Sequence, residues 1–489
     1  MEKEDNVQVG MDNDFNKVGL IKLLVIAIIT ATVWNLPADV FGIDGLTVVQ
    51  QRVISIFVFA TLAWLTEAIP AWATSICIIG IMCLTISEKG LLPFQGEDAG
   101  NLLMAKAIMA SFADPVIFLF LGGFVLAIAA SKSGLDMLLA GMLISSFGKK
   151  SRNIMLGFLL ATGLFSMFVS NTATAAMMLA FLAPLFASLP AESKARMALT
   201  LSIPIAANIG GMGTPIGTPP NAIVLKTLND PDGLNMGIGF GEWMLVMFPL
   251  AMFLLFLSWR LLLILFPMDD TPINIRMDGQ TKMDWKLWVV VLTFALTVVL
   301  WMIPTEYTGV DANVAAVIPI CIFAVTGVIK GTDLGKIEWS VIWMVAGGFV
   351  LGTAMEDSGL ADAAIKSIPF GSWSPAALLI VSGLICFTLS NFISNTATVA
   401  LLTPFLAIVC TGMGDKLNAV GGTSTVLIGL ALTASTAMSL PISTPPNAIA
   451  YSTGLVDQKS MMKVGLTIGL IGMVINYVVL YLVAKFGLL

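Results

Sequence analysis

Read for polarity alone, the chain is a succession of apolar runs parted by short polar breaks. Runs long enough for the roughly 20 residues of a spanning helix are predicted near 18–36, 53–68, 71–87 and 115–131. Residues 135–147 follow in helical rhythm and suit a helix lying along an interface. The basic cluster Lys149, Lys150 and Arg152 ends that stretch. Two uncharged windows come next, 153–191 and 197–225, and then a helix at about 242–266. A polar linker, 268–284, is the natural boundary between two halves. Beyond it the pattern predicts helices near 285–303, 312–329 and 339–355, uncharged windows at 367–414 and 417–456, and a last helix at about 464–483.

The polar positions inside the uncharged windows repeat. Ser166-Met-Phe-Val-Ser-Asn-Thr-Ala-Thr returns as Ser390-Asn-Phe-Ile-Ser-Asn-Thr-Ala-Thr. Gly217-Thr-Pro-Pro-Asn returns as Ser443-Thr-Pro-Pro-Asn, and Gly122-Gly-Phe-Val-Leu returns from Gly347. Ser170 and Ser394, Gly217 and Ser443, and Gly122 and Gly347 stand 224, 226 and 225 residues apart. One shared offset means a duplicated unit. Polar interruptions in matching apolar segments of a repeat are the best sequence pointer to a transport site.

Composition settles the class. Of 489 residues 57% are hydrophobic and 11% charged, against about 25% charged in soluble chains. The chain is an all-α polytopic membrane protein. The polar, acidic N-terminus reads as a tail without a signal peptide, leading into a retained helix. Five cysteines in apolar runs, without metal-like spacing, read as small core residues. There is no histidine, which removes the usual general base and the commonest metal ligand.

Lysine and arginine placement sets orientation. With the N-terminus cytoplasmic, Lys149–Arg152, Lys194 and Arg196, the linker, Lys330 and Lys336, and Lys459 and Lys463 all fall inside. The presumed outer loops 36–51, 229–241 and 304–311 carry no Lys or Arg. This works only if each Ser-Asn-Thr window leaves and returns on one side, which runs the two Gly-Gly helices in opposite directions. The repeat is therefore expected to be inverted. Within 153–191 only Ser-Asn-Thr offers a place to reverse, so a re-entrant hairpin with a deep tip is expected. Irregular backbone survives at that depth only when buried in protein or lining a wet cavity. Pro219-Pro220 and Pro445-Pro446 break the partner helices, freeing carbonyls and creating new N-termini.

The windows hold hydroxyls, amides, free carbonyls and helix N-termini, and no Asp, Glu, Lys or Arg. Carbonyls with Ser and Asn oxygens suit a hard monovalent cation such as Na⁺. Helix N-termini with Asn amide and Thr hydroxyl groups suit a carboxylate. The bland alternative is that Ser, Asn and Thr only pin helix packing; two copies, each followed by Thr-Pro-Pro-Asn, weigh against it. Glu67 is an acid near a helix end, and a structural role at the turn between helices two and three is expected.

At these strings the chain resembles the divalent-anion/sodium symporters, Na⁺-coupled carriers of di- and tricarboxylates such as succinate and citrate. The resemblance covers nearly the whole chain. It implies about eleven transmembrane helices plus two re-entrant hairpins in an inverted repeat, assembled as a homodimer. It also implies an elevator mechanism, with a tail at 1–17, scaffold parts at 18–148 and 268–370, and transport parts at 149–267 and 371–489. By that pattern Ser166, Ser170, Asn171 and Gly217 hold one Na⁺, and Ser390, Asn395 and Ser443 contribute to another. Asn171, Thr172, Thr218, Asn395, Thr396, Thr444 and Pro445 line the carboxylate site. Ser390 and Ser443 depart mildly from the pattern, which favours Thr and Ala there.

The expected function is Na⁺-coupled symport of C4-dicarboxylates across the inner (plasma) membrane, without organic cofactor or nucleic-acid partner. A Na⁺-independent exchanger of the same fold is the alternative. An anion channel suits tips closing from both faces less well. An enzyme lacks the acid pair, histidine or metal cluster near the polar strings that chemistry would need.

Overall fold

A computed structural model describes residues 17–96, 102–186, 189–190, 193–231, 233–268 and 284–487. The N-terminal tail to residue 16 and the linker at 269–283 lie outside the described residues. What is described is helical, with one isolated bridge between Ser87 and Leu103. Eight described helices are long and apolar enough to cross a membrane, and shorter apolar helices such as Ala71–Thr85 and Gly422–Thr436 stand between them.

Helices begin where local chemistry favours it. Thr47 and Gln50 close a capping box on Val48–Thr66, and Asp114 caps Pro115–Ser133 through the Val116 amide. Each such contact satisfies a backbone donor that a helix start leaves orphaned. Glu67 ends Val48–Thr66 in the left-handed region at φ 47°. It is exposed at the turn before Ala71–Thr85. The helix expected at 312–329 is broken into Ala312–Ala315 and Val317–Val325. Pro319 lacks the amide that would bond the Ala315 carbonyl, which explains the interruption. Cys386 and Cys410 are buried, but Cys77 and Cys321 are exposed. The expectation of five core cysteines therefore fails for those two: they sit on apolar helices whose outward face takes a thiol as readily as a methyl group.

The offset found in the sequence governs the helices. Pro115–Ser133 matches Trp339–Asp357, and Leu135–Ser145 matches Leu360–Ser367. Ser151–Ser166 and Asn171–Leu185 match Pro375–Phe392 and Asn395–Met413. Lys194–Gly210 and Pro219–Asn229 match Gly422–Thr436 and Pro445–Ser452. The paired Gly-Gly strings have one structural job. A Cβ on Gly122 would collide with the Ala316 backbone, and one on Gly347 would come within 2.5 Å of the Ser75 Cβ. Each half's Gly-Gly helix thus packs closely on a helix of the other half. The halves interlock rather than sit side by side.

The main core surrounds the four polar windows, with side chains such as Phe158, Leu199, Val399 and Leu430 fully buried. A smaller core joins Pro115–Ser133 to Trp285–Met302 and Val317–Val325 through Leu119, Val290, Trp301 and Phe323.

Candidate functional site

Both Ser-Asn-Thr strings form turns between two helices. Ser151–Ser166 and Asn171–Leu185 are 16 and 15 residues long, about 24 and 22 Å at 1.5 Å per residue. Ser170 caps the second arm by accepting from the Ala173 amide, and Ser394 does the same from Ala397. The middle residue of each tip therefore opens a helix, and its side chain is left over for other work.

In the first tip that work converges with the broken helix. Lys194–Gly210 crosses Ser151–Ser166 so closely that a Cβ on Gly210 would strike the Gly163 backbone. This contact brings the Ala207 carbonyl to the tip, where the Ser166 hydroxyl donates to it at 2.7 Å. One atom of the Asn171 amide lies 2.5 Å from Ser166 Oγ and 3.2 Å from both the Ala207 and Gly217 carbonyl oxygens. With nitrogen there, the amide donates to the carbonyls. With oxygen there, three acceptor oxygens gather around the Ser166 hydroxyl, an arrangement that suits a cation. Gly211 leaves the space open: its Cβ would lie 2.9 Å from the amide oxygen and 3.1 Å from the Gly217 carbonyl. Ser166, Asn171 and Gly217 are thus brought together, with Ser170 adjoining as the cap.

The second tip is built differently. Ser390 is fully buried with its hydroxyl against the Cys386 thiol, and the Asn395 amide oxygen has no hydrogen-bond partner. Ser443, where the first half has Gly217, donates to the Asn391 carbonyl at 2.8 Å and accepts from the Leu440 amide at 3.0 Å. The Asn391 amide oxygen accepts from the Ser439 backbone at 2.7 Å. In the first half the matching carbonyl, Met167, is held instead by the Thr214 hydroxyl.

The breaks in the partner helices are held alike. Asn221 donates to the carbonyls of Gly211 at 2.9 Å and Thr214 at 2.8 Å. Asn447 donates to those of Met438 at 2.8 Å and Leu440 at 3.0 Å. These asparagines, with Thr214 and Asn391, are site residues that the sequence reading passed over. Asn221 and Asn447 close the repeated Thr-Pro-Pro-Asn strings, and that signal could have found them. Asn208 has no such signal. It reaches from the first half's broken helix to Thr444 Oγ1 at 3.1 Å and the Asn447 amide oxygen at 3.4 Å, tying the two breaks together.

Thr218 and Thr444 are buried N-caps of Pro219–Asn229 and Pro445–Ser452, each with proline in the first turn. Thr444 accepts from the Asn447 amide, while Thr218 makes no capping bond. Thr172 is half-buried, Thr396 buried and Pro445 exposed. Four helix N-termini therefore open at these strings, which themselves carry no ionisable side chain. Such termini favour an anion, and the carbonyl clusters favour a cation.

Residues 61–426 match the citrate transporter family. The sodium-dependent dicarboxylate transporter SdcS of Staphylococcus saprophyticus is 30% identical, with 95% of this chain and 92% of that one covered. SdcS of Staphylococcus aureus USA300 is 31% identical over 88% of this chain and 85% of its own. Among solved structures, the YdaH transporter of Alcanivorax borkumensis aligns with a TM-score of 0.51 at 13% identity, over 85% of this chain and 97% of its own. MtrF of Neisseria gonorrhoeae aligns at 0.56 and 12%, over 86% and 96%. At such low identity these two show a shared fold and nothing more.

Proposed function

We propose, on the premise that the chain belongs to the citrate transporter family and by descent to the divalent-anion/sodium symporter family, a membrane transporter family and not an enzyme family, that it carries out Na⁺-coupled uptake of C4-dicarboxylates such as succinate. The carrying observation is the first tip, where the Ser166 hydroxyl, the Asn171 amide and the Ala207 and Gly217 carbonyls converge with no charged side chain in the window. Both relatives carry the name sodium-dependent dicarboxylate transporter.

On this reading one Na⁺ binds Ser166, Ser170, Asn171 and Gly217, and a second uses Ser390, Asn395 and Ser443. The unpartnered oxygen of Asn395 supports the second site, because an unmade buried hydrogen bond costs about 1–3 kcal/mol. The dicarboxylate lies on Asn171, Thr172, Thr218, Asn395, Thr396, Thr444 and Pro445. A dianion cannot enter low dielectric uncompensated, and no Lys or Arg stands in the windows, so bound cations supply the charge. The halves act as an inverted repeat, and the hairpins and broken helices slide as an elevator against a scaffold that dimerises. The protein sits in the plasma membrane with its N-terminus inside.

The test is succinate uptake into proteoliposomes under an imposed Na⁺ gradient and K⁺ diffusion potential. Uptake should require Na⁺ and quicken when the interior is negative. Uptake indifferent to Na⁺ but stimulated by internal succinate identifies an exchanger and rejects the symport reading.

A further inference from the structure

A cavity of about 370 Å³ lies beside the first tip. One wall is the second hairpin arm, with Ser170, Ala173, Thr174 and Met177; the others include Lys132, Asp136, Lys336 and Glu338. Its charges are not balanced. Asp333 takes both lysines, Lys132 at 2.5 Å and Lys336 at 3.2 Å. No described lysine or arginine pairs with Asp136 or Glu338. Asp136 is buried; its carboxylate accepts from the Met137 amide at 2.7 Å and from the Ser131 hydroxyl, and takes no counter-charge. Thr174 is fully buried with its hydroxyl unpartnered. Thr174 stands one helical turn from Ser170, so both point to one side of the arm.

We propose that this cavity is a cation vestibule, holding a partly hydrated Na⁺ between the Asp136 carboxylate and the Thr174 hydroxyl next to Ser170. The volume favours a hydrated ion: water occupies about 30 Å³ per molecule in the liquid, so several waters fit around one cation. An unneutralised carboxylate in a low-dielectric cleft concentrates counter-ions. The same carboxylates repel a dicarboxylate, so the vestibule serves the cation and leaves the anion to the far side of the tip. The proposal rests on the reading of Ser166, Ser170, Asn171 and Gly217 as a Na⁺ site.

The test is succinate counterflow in proteoliposomes with equal Na⁺ on both sides, which makes protein orientation immaterial. Asp136→Asn should raise the half-activating Na⁺ concentration at least threefold, Asp136→Glu should restore it, and Thr174→Val should raise it less. The shift for Asp136→Asn should shrink as choline chloride screens the cleft, which a packing defect would not do. Asp415→Asn, an exposed charge elsewhere, should leave activation alone. An unchanged half-activation, a shift insensitive to ionic strength, or a lower half-saturating succinate concentration instead would overturn the vestibule. Asn171→Ala separates the two ideas. Na⁺-activated counterflow surviving in that variant removes the tip site itself, whereas its loss beside a normal Asp136→Asn removes only the vestibule.

Discussion

The two hairpin tips share a string and differ in how they are closed. The first is drawn together by backbone: Gly210 against Gly163, and Gly217 against Gly211, whose carbonyl oxygen a Cβ on Gly217 would meet at 2.5 Å. Its polar groups meet one another, Ser166 on Ala207 O and Asn171 among three oxygens. The second is spaced by side chains. The Tyr477 ring lies against Gly383 and Gly429, and Phe387 stands where Gly163 does. Its counterpart of Asn171, Asn395, keeps an unpartnered oxygen, and its counterpart of Ser166, Ser390, meets only the Cys386 thiol. A duplicated sequence thus yields one pre-closed polar cluster and one that leaves the Asn395 oxygen without a partner. The physical cause is glycine placement, because backbone approaches backbone closely only where no Cβ intervenes.

The largest expected effect tests whether both tips matter despite this difference. Asn171→Ala and Asn395→Ala should each abolish succinate uptake at normal expression and unchanged oligomeric state. Near-normal uptake by either variant would confine the site to the other tip.

Closure by backbone and closure by side chain should respond differently to an added methyl group. Gly210→Ala should lower the melting temperature strongly, because its clash is with the Gly163 backbone; overpacking of this kind costs about 1–3 kcal/mol or more. Gly429→Ala clashes with the Tyr477 ring. The double variant Gly429→Ala/Tyr477→Leu should therefore recover part of the loss, measured by thermal unfolding in detergent. Equal recovery of Gly210→Ala by trimming Tyr477 would refute the distinction.

The tethers on the matching carbonyls give a smaller effect. Thr214→Val frees Met167 O and Ser443→Ala frees Asn391 O. Each should cost about 1 kcal/mol, and the two should add, as independent sites do. Marked non-additivity in a double-variant melt would show that the tips are coupled.

The smallest effect concerns a cluster found in the second half alone: residue 109, the counterpart of Asp333, is Met. Lys132 beside Asp333, with the Lys330 amide, holds its carboxyl well below the usual range. A depressed carboxyl adds stability above its unfolded value, about 3.9, and loses it as pH falls toward the folded value. Asp333→Asn should therefore melt slightly lower than the parent, by the same margin from pH 5 to pH 8, with the gap closing only in strong acid. A gap that closed near pH 6 would point to another group.

Much of this was legible along the chain. Apolar runs located most helices within a few residues, since a spanning helix needs length and hydrocarbon and little else. The shared offset paired the helices, and the paired strings picked out Asn171, Asn395, Thr218 and Thr444. The same strings also hid a difference, because Ser443 and Gly217 look like a mild substitution until one bonds Asn391 and the other turns its carbonyl to the Asn171 amide. Asn208, Thr214 and Asn391 carried no repeat signal, and only folding brought them to the breaks.

Sequence by itself determined the solvent this protein lives in, the duplication, and the uncharged polar chemistry of its windows, because hydropathy and repetition are properties of order along the chain. Tertiary structure alone decided which carbonyls face the tips, which hydroxyls are spent on capping, and which charges at the cavity remain unpaired. Those depend on distances of about 3 Å between residues such as Ser166 and Ala207, or Lys132 and Asp333, far apart in sequence and joined only by packing.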